Sequence, residues 1–409
     1  MIGGAAFETL DAREIQRLVA PLRSESAGNR AAGLEDVFAA ACWSCLVEPG
    51  DAVGGLLRAA LGPLGALDAL SGSDDDIRAR LTAKGVVEHD RIDLAAARAR
   101  WQPRLTAMRF RGAFHAARVL GIRLVVPGDP EWPAGLDDLE VHGPAALWIR
   151  GDVGALSRGP SVAIVGSRAA SAYGEQVSSE LAAGVSAQGV AVHSGGAYGI
   201  DGMAHRAVLA SGGTTVAVMA GGVDRFYPAG HHDLLSRIAE RGAIVSEMPC
   251  GTSPSRWRFL QRNRLLAAAT GGTVVVEAGF RSGALNTANH ARSLDRPVGA
   301  VPGPVTSPAS DGCHRLLREP DVTCITGPRD LLGMIQPSFL LAQPPDAIKR
   351  AAPESLRVLD ALSGRRARDE AHVARLSGLD QAEVRATLAV LEIEGVAREN
   401  GEGWLRVAR

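Results

Sequence analysis

The feature that most constrains the fold is an alternation of short apolar runs, glycine-rich loops and helical stretches, which begins near Ile122 and continues to about Leu332. Its strongest strand candidate is Val162–Val165, which ends at Gly166. Strands that alternate with helices favour a parallel sheet, and strands that are apolar throughout indicate helices on both faces. The sequence therefore predicts an extended Rossmann-like parallel sheet, with its ligand site at the carboxyl ends of the strands.

Six further strand candidates follow the first one. They are Val190–His193, Thr214–Met219, Ala243–Ser246, Gly272–Glu277, Val298–Val301 and Val322–Ile325. A helix is predicted from about Tyr173 to Ala187, with Ser171 as its N-cap. Loops rich in glycine or polar residues follow several of these strands, and they carry the candidate site residues.

Two accessory domains are predicted beside the sheet. Residues 1–118 are expected to form a small helical domain, because apolar residues recur there at helical spacing. Residues 119–336 would form the Rossmann-like domain, and residues 337–350 a proline-containing linker. Residues 351–409 hold three helical stretches and then two short strands around a glycine-rich turn, which predicts a winged-helix-like domain. The predicted fold class is α/β, with a helical domain before the sheet and a winged helix after it.

Charge and composition exclude several classes of protein. The formal net charge is -1, so any attraction to a polyanion must be local. No lysine lies between Gly85 and Ile348, which excludes the usual phosphate-loop lysine and a Schiff base within the predicted sheet. No apolar run reaches about 18 residues, so no membrane span is predicted.

The five cysteines form no disulfide-like framework. Cys42 and Cys45 make a Cys-x-x-Cys pair, but they lie in an apolar helical stretch without a second ligand pair nearby in sequence. We interpret them as buried thiols and predict no metal site. An odd number of cysteines favours a reducing compartment, so a cytoplasmic protein is expected.

The first loop of interest is Gly166, Ser167 and Arg168, which follows a strand and precedes a helix. Backbone amides and the positive end of a helix favour an anion at such a position. A hydroxyl and a guanidinium in the same loop suit a phosphate group. The loop is therefore a candidate phosphate site.

The second loop brings several glycines to the start of the next helix. Its candidate site residues are Ser194, Gly195, Gly196 and Gly199. Backbone without side chains can approach a ligand closely, and Asp201 is a candidate cap for the helix. The first turn lacks the Gly-x-Gly-x-x-Gly fingerprint of NAD and FAD sites, and no Walker-type phosphate loop occurs. No cofactor is predicted.

Further along the chain, cationic and aromatic residues occur together. Arg225 and Tyr227 share a loop, where they suit a phosphate contact and base stacking, unless Tyr227 and Pro228 only fix the loop. Residues 255–264 are the clearest basic patch, with Arg262, Asn263 and Arg264 as candidate site residues. Two interpretations of the patch stay open: its arginines bind DNA phosphates, or acids neutralise them internally while aromatic residues pack in the core. The acids considered are Glu247 and Glu277, and the aromatic residues are Trp257 and Phe259. Ser282 and Gly283 begin another helix and offer another anion-receptive position.

Taken together, these motifs closely resemble those of the DprA/Smf family. The resemblance covers roughly residues 122–332 and includes Gly166 to Arg168, Ser194 to Asp201, Tyr227-Pro228, Arg262 to Arg264 and Ser282-Gly283. It implies a Rossmann-like protein that binds single-stranded DNA, protects incoming strands and helps to load the RecA recombinase during natural transformation. It also implies a homodimer without catalytic activity.

The resemblance assigns roles to matching positions. It implies that Arg168 contacts phosphate, that Gly195 and Gly196 allow close approach, and that Arg262 and Arg264 are DNA or structural contacts. Asn263 and Ser282 would shape the same pocket. The chain departs from the family where a basic residue and an asparagine are common, because Ala229 and His231 stand there. Arg225, in the same loop, is a candidate replacement for the missing cation.

Three other functions would each need a feature that the sequence lacks. A Rossmann-like nucleotide phosphoribohydrolase would use a glutamate and an arginine, for which Glu277 and Arg281 are candidates, but the family's Pro-Gly-Gly-x-Gly-Thr run is absent. A nuclease would need clustered carboxylates, whereas the acids here stand on separate loops. A transcription regulator would read duplex DNA through residues 381–394, but this segment has three glutamates and only one arginine, which disfavours contact with duplex phosphates. Single-stranded DNA binding remains the function that the sequence favours.

Overall fold

The computed structural model describes residues 11–24, 33–86, 92–336, 338, 353–393 and 395–407. The chain divides into two compact units, with the boundary between residues 337 and 338. Apart from residue 338, the predicted linker 337–350 lies outside the described residues.

Helices form the described part of the chain up to residue 119. They are α1 (Ala12–Val19), α2 (Leu34–Leu46), α3 (Ala52–Ala69), α4 (Asp74–Ala83), α5 (Leu94–Trp101) and α6 (Ala107–Val119). Side-chain carboxylates or hydroxyls cap α1, α3, α4, α5 and α6 at their N-termini, which satisfies amides that have no partner inside a helix. The expected helical character of this region is present.

The first unit is built on a nine-stranded sheet. Its strands are β1 (Arg123–Val125), β2 (Leu147–Gly151), β3 (Ser161–Val165), β4 (Ala191–Ser194), β5 (Thr215–Val218), β6 (Ala243–Ser246), β7 (Thr273–Val275), β8 (Val298–Ala300) and β9 (Val322–Cys324). Their order is β1-β2-β6-β5-β4-β3-β7-β8-β9. All neighbours from β3 to β9 pair in parallel, whereas β2 pairs antiparallel with both β1 and β6. The predicted parallel sheet is confirmed, and the antiparallel edge was not predicted.

Helices follow the parallel strands, and the last of them comes after the final strand β9. They are α7 (Ala172–Ser186), α8 (Ile200–Ala210), α9 (His232–Arg241), α10 (Arg256–Ala268), α11 (Gly283–Ser293), α12 (Asp311–Leu316) and α13 (Pro328–Ile335). The helix predicted from Tyr173 to Ala187 is α7, and Ser171 caps it by accepting a hydrogen bond from the Gly174 amide at 3.1 Å. The chain turns back across the sheet after β6, so β4 and β7 lie on opposite sides of β3.

The N-terminal helices and the sheet share one hydrophobic core. The ring of Phe114 in α6 lies between those of Phe38 in α2 and Trp148 in β2, with centroid distances of 5.5 and 6.0 Å. The indole N–H of Trp148 donates to the Ser44 hydroxyl at 3.0 Å. The predicted boundary at residue 118 therefore runs through a continuous core.

Cys42 and Cys45 are free thiols on α2, and both are fully buried, as predicted. Burial raises the pKa of the Cys45 thiol to about 12, although Arg109 and a hydrogen bond with Ser44 oppose the shift. A thiol with such a pKa is inert at neutral pH. Among the described residues, no helix is both long and apolar enough to cross a membrane.

The second unit has its own small core. Its elements are α14 (Pro353–Ala361), α15 (Glu370–Ser377), α16 (Gln381–Ile393), β10 (Ala397–Glu399) and β11 (Trp404–Arg406). The two strands pair antiparallel, and Trp404 packs with the buried Val358, Val373 and Leu388 of the helices. The winged-helix prediction is confirmed. On α16, Arg385 forms an ion pair with Glu370 at 2.9 Å.

Candidate functional site

A cleft of about 500 Å³ opens at the carboxyl end of β3. The strand order reverses at this point of the sheet, and ligands of open α/β sheets bind at such a reversal. Loops after β3 and β7, the part of α10 from Phe259 to Leu266 and the start of α11 form its walls. Its polar and aromatic lining residues include Gly166, Ser167, Arg168, Asp201, Phe259, Arg262, Asn263, Arg281, Ser282 and Gly283. The structure thus brings together predicted site residues from three separate segments.

Arg262 forms the floor of the cleft and is 5% exposed. One guanidinium nitrogen, Nη1, donates to the Val218 carbonyl at 2.5 Å, while Nε has no protein partner. Burial lowers the pKa of Arg262 to about 10, although Asp201 opposes the shift. The side chain therefore stays charged at neutral pH, and the cleft has a fixed cation at its base.

Asp201 connects the two glycine loops beneath the cleft. Its buried carboxylate accepts from the Gly195 amide at 3.0 Å and also from the amides of Gly166 and Ala197. Burial raises the pKa of Asp201, while Arg262 and the three amides oppose the shift. The predicted capping role of Asp201 is wrong, because Gly199 is the N-cap of α8 and the carboxylate is held by the loop amides.

Two glycines allow the loops to approach one another. A Cβ atom on Gly195 would lie 2.2 Å from Nη1 of Arg262. Gly199 has a φ of 72°, and a Cβ there would lie 2.2 Å from the Ser167 carbonyl oxygen. Only glycine fits these two positions without displacing either the guanidinium or the backbone.

Replacing Gly195 with Ala is expected to lower the free energy of unfolding by about 1–3 kcal/mol, because the new methyl group must displace the buried Arg262 guanidinium. Urea denaturation measures this change. Gly112→Ala is the control: Gly112 lies inside α6 with no atom within 4 Å of an added Cβ. It should leave stability equal or up to about 1 kcal/mol higher. Equal stabilities for Gly195→Ala and the unaltered protein would contradict the close approach.

Arg168 and Phe259 form the rim of the cleft. The exposed guanidinium of Arg168 lies 5.0 Å from the centre of the Phe259 ring, and that of Arg262 lies 5.9 Å from it. Tyr227 stands on the other side of Phe259, with ring centroids 5.6 Å apart. The rim thus combines a solvent-accessible cation with the Phe259 ring, and Tyr227, which does not line the cleft itself, lies next to that ring.

The start of α11 faces the cleft from the opposite wall. Ser282 caps this helix and accepts from the Ala284 amide at 3.3 Å. Asn263 ties α10 to α11 by donating to the Gly283 carbonyl at 3.3 Å and to the Asn286 side chain at 3.2 Å. The helix dipole and Arg281, which is exposed, both add positive potential here.

Several predicted site residues do not line the cleft. Arg264 is buried and donates to Glu247 at 2.5 Å, which favours internal neutralisation and a structural contact for this arginine. The Ser194 hydroxyl is buried and donates to the Ile164 carbonyl at 2.6 Å. Gly196 lies behind the cleft, where Nδ1 of His231 donates to its carbonyl at 3.1 Å.

Arg225 is also outside the cleft. Its side chain is 78% exposed and lies 3.8 Å from Asp224. Ala229 is exposed and His231 is buried, so neither supplies a cation. Arg225 therefore does not replace the missing basic residue within the cleft itself.

The lining of the cleft includes residues that were not predicted as binding residues, among them Asp201, Phe259, Phe280 and Arg281. Phe259 was detectable, because it lies three and four positions before Arg262 and Asn263 and so shares their helix face. Asp201 was considered only as a cap. Its role depends on contacts between loops, which the sequence does not specify.

Glu277 is the glutamate that the hydrolase alternative requires. It is buried, and its two carboxylate oxygens accept from the Ser171 amide at 2.9 Å and the Ser171 hydroxyl at 2.7 Å. The carboxylate therefore fixes the start of α7. Within the described parts of the chain, no group of three or more His, Cys, Asp or Glu residues is arranged to hold a metal ion.

Comparisons with known proteins agree with this architecture. The family model described as DNA recombination-mediator protein A matches residues 123–336, and the DprA winged helix domain matches residues 342–402. A putative DNA processing protein DprA of Mycobacterium tuberculosis is 48% identical over 304 residues, which cover 71% of this chain and 78% of the relative. Protein Smf of Escherichia coli is 35% identical over 275 residues, covering 65% of this chain and 72% of that protein.

A solved structure has the same fold. The X-ray structure of DNA processing protein A from Streptococcus pneumoniae superposes with a TM-score of 0.55 at 28% sequence identity. The match covers 73% of this chain and 97% of that one. By family model, sequence identity and fold, this chain belongs to the DprA/Smf family of DNA processing proteins.

Proposed function

We propose that this protein binds single-stranded DNA in the cleft, mainly through its phosphates and with some base stacking. The observation that carries the proposal is the convergence of Arg168, Arg262 and Arg281 with the N-terminus of α11 around one opening. Three guanidiniums and a helix dipole attract an anion, and only one lining residue, Asp201, is acidic. The cleft is therefore locally cationic although the whole chain is not.

The aromatic rim favours a single strand over a duplex. Tyr227 is exposed next to Phe259, on whose ring Arg168 lies. The bases of a single strand are free to stack on exposed aromatic rings. Stacking tolerates every base, and phosphate contacts carry no sequence information. Binding is thus expected to depend on salt and little on sequence.

Replacing Arg168 with Ala is expected to weaken single-stranded DNA binding about 10-fold, because one charge-assisted phosphate contact is lost. The slope of log affinity against log salt should fall by about 0.7. Fluorescence anisotropy of a labelled oligonucleotide, compared with its duplex over a salt series, measures both quantities.

Arg237→Ala is the matched control, because Arg237 is an exposed arginine on α9 that does not line the cleft. It should leave both the affinity and the salt slope unchanged. Two results would contradict the proposal: no binding of single strands by folded protein at low salt, or equal losses for the two variants.

We also propose the finer role that the family resemblance implies. The protein would act in the cytoplasm as a homodimer, shield incoming single strands from nucleases and help RecA to assemble on them during natural transformation. The name of the matching family model, a recombination mediator, supports this role. A nuclease-protection assay and a RecA-loading assay on coated single strands test it, and it fails if Arg168→Ala and the unaltered protein perform alike in both.

We propose a non-catalytic role for the cleft. Ser171 occupies both oxygens of Glu277, which supports a structural task for that carboxylate and leaves Arg281 without the partner that a phosphoribohydrolase needs. Incubation with nucleoside monophosphates tests this point. Release of free base by the unaltered protein, lost in Glu277→Gln, would establish the hydrolase instead.

A further inference from the structure

Trp257, in the first turn of α10, differs from every other tryptophan of the chain. It is 55% exposed, whereas the other five are at most 7% exposed. Those five are Trp43, Trp101, Trp132, Trp148 and Trp404. A large aromatic side chain on the surface loses the free energy of burial, and such side chains are common where a partner binds.

Trp257 lines a groove of about 600 Å³ that is separate from the cleft. We call it the Trp257 groove; its other lining residues are Glu48, Pro49, Gly50, Asp51, Ala52, Val53, Arg100, Trp101 and Arg104. The groove thus lies between the start of α10 and the segments around α3 and α5. It belongs to the same compact unit as the cleft.

The first turn of α10 is the wall between the groove and the cleft. Trp257 and Phe259 are two positions apart, so they point to opposite sides of the helix. Phe259 lines the cleft and Trp257 lines the groove. A strand that leaves the cleft across the start of α10, which Ser255 caps, therefore reaches Trp257 next.

The two acids of the groove, Glu48 and Asp51, already have partners. Glu48 is held between Arg104 at 2.5 Å and Arg258 at 2.7 Å, so both of these arginines share one acid. Asp51 caps α3 through the Gly54 amide at 3.0 Å and accepts from the Trp101 indole at 3.1 Å.

Arg100 is the most available cation of the Trp257 groove. Its side chain is 56% exposed and approaches Asp51 only to 3.5 Å. Counting Arg258, three arginines surround two acids, and both acids already have other partners. Arg104 and Arg258 also donate to backbone carbonyls, so Arg100 is the cation that the groove offers beside an exposed indole ring. A guanidinium next to an exposed aromatic ring suits a nucleotide.

We propose that the Trp257 groove is a second subsite for single-stranded DNA, in which Trp257 stacks on a base and Arg100 contacts a phosphate. The inference rests on the proposed function of the cleft and extends it, because one strand would occupy the cleft and the groove in succession. Short strands fill only the cleft, and longer strands gain the second subsite.

Tryptophan fluorescence tests the subsite directly, since Trp257 is the exposed fluorophore. The unaltered full chain is titrated with oligothymidylates of about 4 and about 16 nucleotides, lengths that bracket common single-strand sites. The longer strand is expected to quench the emission and to protect it from iodide, whereas the shorter strand does neither. Trp257→Phe should lose this signal but keep most of the affinity, because phenylalanine can still stack.

Affinity by anisotropy provides the second readout. Trp257→Ala is expected to bind the longer strand about 10-fold more weakly and the shorter strand equally well. Arg100→Ala should show the same length dependence and a smaller salt slope for the longer strand. Met108→Ala, which removes an exposed apolar side chain from α6, should change neither affinity. Urea denaturation checks that every variant is folded.

The outcomes separate this proposal from the function of the cleft. If the longer strand binds with the expected dependence on Arg168 but neither quenches Trp257 nor distinguishes Trp257→Ala, the second subsite is refuted and the cleft stands. If no strand binds, the proposed function itself fails. Quenching that rises with protein concentration in the absence of DNA would assign the groove to a second copy of the chain and overturn the proposal.

Discussion

Met in place of Arg264 is expected to lower the free energy of unfolding of the first unit by about 3–5 kcal/mol, because Glu247 is left as a buried carboxylate without its main partner. Both side chains of this pair are at most 8% exposed, so water cannot replace the guanidinium. Arg58 lies close enough to Glu247 to compensate only in part. Denaturation in guanidinium chloride, followed by tryptophan fluorescence, measures the loss.

The pH dependence of stability provides a second test of the Arg264–Glu247 pair. Burial raises the pKa of Glu247, and Arg264 opposes this shift, so removal of the arginine raises the pKa further. A raised folded-state pKa means that the folded protein binds the proton more tightly than the unfolded chain. The loss in the free energy of unfolding caused by Arg264→Met is therefore expected to be largest at neutral pH. It should shrink as the pH falls toward the ordinary pKa of a glutamate.

Two controls decide what Arg264 does. Arg292→Met removes a half-buried arginine that pairs with the exposed Asp321, and it should cost at most about 1 kcal/mol. The double variant Arg264→Met with Glu247→Leu should recover most of the stability, since no buried charge remains. A stable Arg264→Met protein that has lost single-stranded DNA binding would show instead that Arg264 contacts DNA.

Replacing Asp201 with Ala is expected to have the largest effect on binding. The carboxylate holds amides of the loops after β3 and β4 and faces Arg262. Its loss leaves three loop amides without their acceptor and removes the negative charge opposite a buried cation. The free energy of unfolding should fall by about 3–5 kcal/mol. Affinity for single-stranded DNA should fall about 100-fold in the protein that remains folded, because the whole cleft loses its shape.

Asp201→Asn serves as an intermediate variant for Asp201→Ala, and Asp233→Ala serves as its control. Asn keeps one oxygen acceptor for the loop amides, so it should lie between Ala and the unaltered protein in both measurements. Asp233 is a fully exposed acid on α9, 3.6 Å from His232, and its removal should change neither stability nor affinity. Unchanged affinity in Asp201→Ala would mean that the two loops keep their positions without the carboxylate.

Much of the sheet was predictable because its parallel strands are buried on both faces. The apolar runs at Val162–Val165 and Ala243–Ser246 mark β3 and β6 within one residue at each end. The antiparallel strands β1 and β2 were missed as individual elements. β1 has three residues, too few to carry a pattern, and its pairing with β2 depends on tertiary contacts.

The candidate site was predictable only to the level of the loops. Strand ends of a parallel sheet meet at one edge, so motifs such as Gly166 to Arg168 were expected to converge with the start of α11. Which arginine faces the cleft depends on contacts with residues far away in sequence. Arg258, for example, pairs with Glu48, 210 residues earlier, and the local spacing of residues does not predict that contact.

The continuous core of the first unit also limits when the chain can fold during its own synthesis. Phe38 and Phe114 leave the ribosome well before Trp148, and the shared cluster is complete only when Cys250 has been made. The apolar faces of the early helices therefore stay exposed to solvent until more than half of the chain has been synthesised. A nascent chain halted before that length is thus a natural client for chaperones, and a fragment cut at residue 118 would inherit the same exposed surface.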